Sequence, residues 1–447
     1  MELECSAVKK KPSLLPPWLS CSHGILLLVT LAFWVTFLRG ADPLGYVYKR
    51  DFLCLYIGAR AVAQGHGPQI YNAKLQWALT DSAISPYRRG TLLPYVYPAY
   101  LAVLLSPLGK LSLVNAFFVW TGINLLVAIS VTARLIAFAS SWPRLKIPLL
   151  IAILAWTPLQ LTISHGQVGL LCTLALTEAL FSLDAGEPRK AGCWLALGLM
   201  KPHLIAVPLL ALLIWRCWAT LASFALTALV PLTLSFIKVG FWFGDYLRFL
   251  GEFYRRGGEF SFYPGAMQNW RGLVFALLKG NGTLAAELLL AALSIGSVAL
   301  LIALCADHRD GFSWRSRSLP PSGPWKEIFS IAILLGALTS PHLYFHDWVV
   351  ALPALIVLFF STDSFTTDGY GQRLVVFQRW LIGLSPFVCF AVEFRIWPAE
   401  SRIQLLPWYM GILTITAVFI FRRSGKLELL KASRPVPAGV SESASGL

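Results

Sequence analysis

Charged residues are scarce in this 447-residue chain, in which Asp, Glu, Lys and Arg together make up 13% of the residues. That is about half their share in a typical soluble protein. Hydrophobic residues account for 57%, and the mean hydropathy is +0.66. A soluble domain of this composition would expose far too much apolar surface to water. The shortage of charge therefore argues against a soluble protein and predicts a polytopic membrane protein.

Sequence patterns for metal and redox chemistry are also missing. The eight cysteines form no Cys-x-x-Cys pair and no zinc-ligand spacing. Most of them lie inside apolar runs, where Cys behaves as a small hydrophobe. The chain has no Asp-x-Asp motif, which disfavours a soluble nucleotide-sugar transferase. No spacing supports a metal site, and we predict neither a metal nor a cofactor.

The net charge of +15 could suggest a nucleic-acid partner. The basic residues are scattered among loops and tails, however, so we expect them to hold the protein at anionic lipid headgroups. Aromatic residues make up 13% of the chain and include 17 Trp, as is typical of membrane-interface anchors. The expected partner is therefore the lipid bilayer, and no nucleic acid.

Apolar runs recur along the whole chain. A membrane-spanning helix needs about 20 such residues, and the candidate runs cover residues 22–38, 94–108, 112–133, 147–163, 165–183, 191–215, 217–238, 284–306, 327–341, 348–361, 377–393 and 404–421. These twelve runs predict an all-α fold, a polytopic transmembrane bundle of about 12 spans. Residues 22–421 then form the transmembrane domain, between a cytoplasmic N-terminal tail (1–21) and a cytoplasmic, partly disordered C-terminal tail (422–447).

The basic cluster Lys9–Lys11 predicts a cytoplasmic N-terminus by the positive-inside rule. With twelve spans in the cytoplasmic membrane, the long loops 39–93 and 239–283 lie on the outer face. Within them, residues 51–65 and 245–256 show helical spacing of apolar and polar residues. We expect two juxtamembrane amphipathic helices that cover a site at the outer leaflet.

Ionisable residues next to apolar segments are the candidates for chemistry. Asp51 stands at the start of the segment 51–65, where a carboxylate can accept a proton or cap a helix. Asp42 precedes a proline and better suits a turn. Lys201 lies inside an apolar run, and such residues are usually functional. It could contact an anion or pair with a carboxylate such as Glu178.

Two histidines late in the chain, His342 and His346, lie four residues apart and would share a face if they were helical. Either they are satisfied by backbone groups at a helix end, or one of them binds a ligand. His346 is favoured slightly because Asp347 adjoins it. The segment His165-Gly166-Gln167 predicts a tight turn between helices. In the twelve-span topology this turn faces the cytoplasm, unless re-entrant segments bring it into the cavity.

The order of several short motifs carries a family resemblance. They are Asp51-Phe52, Tyr56, Gly65, Tyr71, Tyr97-Pro98, Ser106-Pro107-Leu108, His165-Gly166-Gln167, Lys201-Pro202, Ser340-Pro341-His342 and His346-Asp347. Over residues 20–420 the chain resembles the GT-C superfamily of integral-membrane glycosyltransferases, specifically glycosyltransferase family 87. The resemblance implies transfer of a sugar, with mannose the leading candidate, from a polyprenyl-phosphate donor to a hydroxyl of a glycan or glycolipid at the outer face.

The resemblance also implies roles for residues. Asp51 matches the general base, and a late histidine, His346 or His342, would contact the donor phosphate. Lys201 would either contact the same phosphate or form a structural ion pair. Further phosphate candidates are Arg255, Arg256 and Arg271, for which headgroup anchoring is the simpler interpretation, and possible secondary residues are Asp42, Tyr56, Gln167 and Asp347. The alternative function is a lipid-linked-sugar flippase or small-molecule transporter, but the chain shows no clear inverted repeat or pair of broken helices.

Overall fold

The computed structural model describes residues 17–39, 42–278, 283–307, 319–321, 323–361, 369–394 and 404–432, and within these ranges all regular secondary structure is helical. The α-helices are α1 (Pro17–Arg39), α2 (Pro43–Val47), α3 (Phe52–Ala63), α4 (Ala73–Ile84), α5 (Ala99–Leu105), α6 (Leu113–Phe138), α7 (Lys146–Leu154), α8 (Thr157–His165), α9 (Gly169–Asp184), α10 (Pro188–Leu197), α11 (Pro202–Ile214), α12 (Trp218–Val239), α13 (Phe243–Arg255), α14 (Trp270–Leu278), α15 (Leu284–Asp307), α16 (Trp325–Thr339), α17 (Ala351–Ser361), α18 (Gly369–Glu393) and α19 (Leu405–Ala432). The cluster Lys9–Lys11 and most of the predicted C-terminal tail (433–447) lie outside the described residues.

Helices long and apolar enough to cross a membrane confirm the predicted class of an all-α membrane protein. Among the described residues there are four, Leu113–Ser141, Trp218–Val239, Leu284–Ala306 and Gly371–Glu393. A fifth span would be the pair Pro143–Leu154 and Thr157–His165, which is bent by 47° at its break. The predicted count of about twelve spans is not confirmed.

Many of the remaining apolar runs form helices too short to span. The run 191–215 is divided at Lys201, because Pro202 starts a new helix there. The run 327–341 becomes α16, a 15-residue helix that is buried along nearly its whole length. A helix that is apolar on every side can be surrounded by protein as well as by lipid. Apolarity alone therefore overestimates the number of spans.

Helix α3 departs most clearly from its predicted environment. The prediction that residues 51–65 lie on the membrane surface is wrong, because nine of the twelve residues of α3 are buried inside the protein. Phe52 and Tyr56 pack in one core cluster with Tyr95 and Trp120. Residues between the predicted apolar positions, such as Leu53, Cys54 and Ile57, are buried as well, so the helix is enclosed on more than its apolar face.

Helix α13, in the second predicted outer loop, has the expected two faces. It buries Phe249 and Phe253 and exposes Asp245 and Arg248. Nearby, α8 and α9 both pack against a short 3-10 turn at Phe345–Val350. The turn between α8 and α9 thus lies beside the start of α3 and the 345–350 turn, and polar side chains from all three segments meet there.

Candidate active site

Asp51 occupies the N-cap position of α3, but its side chain makes no capping hydrogen bond. Its Oδ2 atom instead accepts hydrogen bonds from Gln167 Nε2 at 2.9 Å and from His165 Nδ1 at 3.2 Å. Nδ1 of His346 lies 3.8 Å from the same oxygen. Asp51 therefore occupies the N-cap position, as the capping alternative predicted, but its side chain does not cap the helix. The carboxylate faces a polar cluster.

The turn that carries His165 and Gln167 is fixed against α3. Gly166 ends α8 with a φ of 66°, and its carbonyl accepts a hydrogen bond from Trp120 Nε1 at 2.8 Å. A Cβ atom on this glycine would lie 2.7 Å from Cβ of Phe52. The predicted tight turn is confirmed. Of its two predicted positions, the one on the face opposite Asp51 is wrong, and the one beside the site is correct, because a 2.9 Å hydrogen bond joins the two segments.

Gln167 connects Asp51 to a buried lysine. Its Oε1 atom accepts hydrogen bonds from Lys201 Nζ at 3.1 Å and from the hydroxyl of Tyr97 at 2.9 Å. Since both partners are donors, the amide nitrogen must be the end that faces Asp51. Lys201 also lies 2.5 Å from Oδ1 of Asp347, and the two side chains are 5% and 1% exposed.

Lys201 thus forms a buried ion pair with a carboxylate, which is one of its two predicted roles. The acid is Asp347, however, and not Glu178. Glu178 forms its own ion pair with Arg134 at 2.7 Å. Sequence proximity along the apolar helices suggested Glu178, whereas the fold brings Asp347 to the lysine from a segment 146 residues away.

His346 lies between the two carboxylates of the site. Its Nδ1 atom faces Asp51, and its Nε2 atom is 3.5 Å from Oδ1 of Asp347. These separations exceed those of strong hydrogen bonds. The histidine is held in place by its backbone, because its carbonyl accepts a hydrogen bond from Thr162 Oγ1 at 2.9 Å.

His342 does not join this cluster. The expectation that it shares a helical face with His346 is wrong, because it precedes the 3-10 turn Phe345–Val350. Its ring stacks on Phe262, with centroids 5.8 Å apart. Of the two histidines, the one favoured from the sequence is the one beside Asp51.

The side chains around Asp51 keep it ionised. Burial raises the pKa of its carboxyl group, but the hydrogen bond from His165, with smaller contributions from His346 and Gln167, outweighs that effect and holds the pKa below its ordinary value. Arg50 Nη1 lies 3.4 Å from Nε2 of His165. A guanidinium only donates, so this contact favours a proton on Nδ1 of His165, which points at Asp51.

Asp51, His165 and His346 are also close enough to hold a metal ion, since one ligand atom of each lies within 4.8 Å of the others. Ligation would require Nδ1 of His165 to lose its proton. The neighbouring Arg50 favours that proton staying on Nδ1. The geometry therefore favours a hydrogen-bonded carboxylate over a metal centre.

Two of the secondary candidates have structural contacts instead. Oδ2 of Asp42 accepts hydrogen bonds from the Gly45 amide at 2.7 Å and from the Tyr87 hydroxyl at 2.8 Å, so it caps α2 as its predicted turn role required. The hydroxyl of Tyr56 donates to the carbonyl of Leu111 at 2.8 Å. Neither side chain contacts Asp51.

The three arginines proposed for phosphate binding are also not among the described residues that contact Asp51. Arg255 is exposed in the last turn of α13. Arg256 pairs with Glu259 at 2.5 Å. Arg271 lies over the ring of Tyr254, 5.5 Å from its centroid.

The residue that sequence reasoning missed is His165. Its neighbour Gln167 was considered, whereas His165 was interpreted only as part of a turn. The available signal was a glycine between two polar side chains at the end of an apolar helix. Such a turn can present both side chains in one direction, but only the fold shows that this direction is toward Asp51.

Residues 95–318, half of the chain, match the model of glycosyltransferase family 87. The chain belongs to glycosyltransferase family 87. The matched segment of this glycosyltransferase contains Tyr97, His165, Gln167 and Lys201, whereas Asp51 and the 345–350 turn lie outside it. No solved structure matches the chain.

Two curated relatives resemble this family 87 chain over most of its length. A polyprenol-phosphate-mannose-dependent alpha-(1-2)-phosphatidylinositol pentamannoside mannosyltransferase of Mycolicibacterium smegmatis is 26% identical over 380 residues, which cover 82% of each chain. A protein of the same description from Mycobacterium tuberculosis is 25% identical over 336 residues, covering 71% of this chain and 69% of the relative.

Proposed function

We propose that this glycosyltransferase moves mannose from a polyprenyl-phosphate donor to a hydroxyl of a glycolipid at the outer face of the cytoplasmic membrane. Family membership supports the transferase activity. The names of the two relatives support the lipid-linked mannose donor and the glycolipid acceptor. The helices long enough to span a membrane support chemistry on lipid-linked substrates.

The general base in this proposal is Asp51, and one observation carries the assignment. The contacts of its carboxylate with His165, Gln167 and His346 all involve Oδ2. The second oxygen, Oδ1, accepts no hydrogen bond from the described part of the chain. It is therefore the oxygen that can receive a proton from an acceptor hydroxyl, while Oδ2 stays fixed.

The reaction balances with this single base. The acceptor oxygen forms a bond to the anomeric carbon, the bond from that carbon to the phosphate oxygen breaks, and polyprenyl phosphate leaves with the bonding electrons. The hydroxyl proton moves to Oδ1 of Asp51. General-base catalysis of this kind contributes about 10²–10⁴-fold. A carboxylate with a lowered pKa is a weak base, but it is always ionised, and the hydroxyl becomes acidic only as the new bond forms.

His165 is the other group that could act as a base, but its ring nitrogens are already engaged. Nδ1 donates to Asp51, and Nε2 faces Arg50. His165 instead positions the carboxylate. Gln167 has the same role and links Asp51 to Lys201.

For the leaving phosphate we propose His346 as the contact, since it lies beside Asp51 and its ring is not held by short hydrogen bonds. Lys201 was the other candidate from the sequence. Because it is paired with Asp347 and nearly fully buried, we assign it to positioning Gln167. His342, which lies outside the Asp51 cluster, and the arginines Arg255, Arg256 and Arg271 remain candidates for contacts with other parts of the donor.

The test is transfer by purified protein in lipid nanodiscs. Polyprenyl-phosphate mannose, the corresponding glucose and galactose donors, and GDP-mannose are each supplied with glycolipid acceptors, and products are identified by mass spectrometry. We expect mannosylated acceptor from the polyprenyl-phosphate donor only. Transfer from GDP-mannose alone, or from no polyprenyl-phosphate sugar, would contradict the proposal.

A further inference from the structure

A cavity of about 130 Å³ lies beside the Asp51 cluster. Tyr97 and Lys201 form one wall of it, and both donate hydrogen bonds to Oε1 of Gln167. The nitrogen of the same amide donates to Asp51. A single side chain therefore separates the cavity from the proposed base.

The walls of the cavity are largely aromatic. Helix α13 contributes Tyr246, Phe253 and Tyr254, which face the start of α11 and the segment that precedes the 3-10 turn. An engineered protein cavity of about 150 Å³ binds benzene, so a cavity of this size can admit one small ring and is far too small for a polyprenyl chain.

Among the described residues that line the cavity, none carries an unpaired charge. Lys201 is the only Lys or Arg of this set, and Asp347 neutralises it at 2.5 Å. Burial lowers the pKa of His342, which keeps its imidazole neutral. A phosphate buried without a counter-charge is strongly disfavoured. The chemistry of the walls suits a neutral ligand.

The same walls leave hydrogen-bonding groups unsatisfied. Nε2 of His203 and Nδ1 of His342 are shielded from solvent and have no hydrogen-bond partner among the described residues. Both histidines line the cavity. The two shielded nitrogens are out of reach of a ligand there, but neither imidazole forms another side-chain hydrogen bond within the described part of the chain. Buried polar groups are usually hydrogen-bonded, and leaving them unpaired is costly. A ligand in the cavity that brings hydroxyl groups to the second ring nitrogen of each histidine would give these imidazoles a partner.

We propose that this cavity binds the sugar ring of the donor, with His203 and His342 hydrogen-bonding to its hydroxyl groups and the aromatic side chains of α13 packing on its apolar face. This inference rests on the proposed function and extends it by naming the residues that recognise the sugar. It places sugar recognition on residues that the proposed chemistry does not use.

The experiment pairs the removal of a histidine with the removal of a hydroxyl. Polyprenyl-phosphate mannose and its 2-, 3-, 4- and 6-deoxy analogues are tested with the wild type, His203→Phe and His342→Phe, and kcat/KM is measured for each. In the wild type, we expect at least one analogue to be about 10-fold poorer than mannose, as for one lost hydrogen bond. The variant lacking the matching histidine should lose about the same factor with mannose and should no longer distinguish that analogue.

His66→Phe is the matched control, because His66 is exposed in a loop outside the cavity. It should keep the wild-type preference among donors. If a Phe variant lowers the thermal midpoint of unfolding, the Asn and Gln variants at the same position replace it, and the same ratio of donors is measured.

Each other outcome overturns the inference. An equal loss for every donor in both variants would show that the histidines contact the phosphate or only support the fold. Unchanged kinetics in both variants would show that the cavity does not bind the sugar. If the wild type transfers from no polyprenyl-phosphate sugar, the proposed function itself is wrong, which is a distinguishable result.

Discussion

Asp42 and Asp51 lie nine residues apart, and each occupies the N-cap position of a helix, yet their side chains do different things. Asp42 caps α2 and is exposed. Asp51 leaves its helix uncapped and accepts hydrogen bonds from a distant turn. The sequence could predict that both residues begin helices and that Asp42 suits a turn. It could not predict the partners of Asp51, because these come from segments 114–116 positions further along the chain.

His165 should matter through the hydrogen bond it donates. We expect His165→Ala to lower kcat by about 10–100-fold, because a hydrogen bond to a charged group contributes about 1.5–3 kcal/mol. His165→Asn places an amide near the position of Nδ1 and should recover much of the loss, with little change in KM for either substrate. Steady-state kinetics with both variants measure this. Equal loss in Ala and Asn would point to a role of the imidazole other than donation, including metal binding.

The two His165 variants should also differ from the wild type in the pH dependence of kcat/KM. His165 and His346 face Asp51, and they help to hold the pKa of the carboxyl group below its ordinary value, so the wild-type base should stay ionised until the pH falls below the ordinary Asp range. Removing the hydrogen bond raises that pKa. The acidic limb of kcat/KM should therefore move to higher pH in His165→Ala and less so in His165→Asn. A shift to lower pH would contradict the assignment.

The buried ion pair of Lys201 and Asp347 should be necessary for stability. Lys201→Met leaves a carboxylate buried without its cation, which costs about 3–5 kcal/mol, and Lys201→Met combined with Asp347→Asn should cost less than the sum of the single changes. The free energy of unfolding in mixed micelles measures this. Lys190→Met, at an exposed pair with Glu187, is the control and should cost at most about 1 kcal/mol. Additive losses at the buried pair would show that the two side chains do not interact.

At the scale of elements, the turn between α8 and α9 determines the geometry of the site. Gly166 adopts a left-handed conformation and lies against Phe52 of α3, so the turn, α3 and the side chains of His165 and Gln167 are positioned together. The turn itself could be predicted from the sequence. Its contact with α3 could not, because nothing in the local pattern shows which helix a glycine approaches.

Gly166→Ala should therefore be more harmful than the same change at another left-handed glycine. Gly186, with a φ of 76°, has no atom within 4 Å of the position of a Cβ. There the change costs only the conformational strain, about 1–2 kcal/mol, and activity should persist. At Gly166 the added methyl group also clashes with Phe52, and we expect loss of most activity together with a lower thermal midpoint. Equal effects of the two changes would show that α3 adjusts without disturbing the site.

The whole molecule shows where sequence reasoning about a membrane protein stops. Composition was sufficient to predict an all-helical membrane protein, and apolar runs located most of the helices. The same runs could not distinguish helices such as α16, which is buried in protein, from helices such as α15, of which many residues are exposed. For that reason neither the number of spans nor the side on which the 165–167 turn lies could be obtained from them.

The contact between Asp51 and Gln167 predicts a topology that can be tested by thiol labelling. Ser85 is exposed and follows α3 and α4. Gly186 is exposed at the far end of α9. Because α9 has 16 residues, this end lies about 24 Å from the site. With Cys5, which lies outside the described residues, and the exposed Cys21 and Cys193 replaced by Ser, Ser85→Cys should react with an impermeant reagent outside intact cells. Gly186→Cys should react only after permeabilisation. The reverse pattern would place the site at the cytoplasmic face.

The most direct test of the central claim is the transfer rate of the Asp51→Asn variant with polyprenyl-phosphate mannose. Asn keeps the size of the side chain and an oxygen that accepts hydrogen bonds, but it cannot take up the proton. We expect a loss of at least about 10²-fold in kcat, with a normal thermal midpoint. Asp42→Asn, at the aspartate that caps α2, should retain activity. Turnover of Asp51→Asn at the wild-type rate would show that another group is the base.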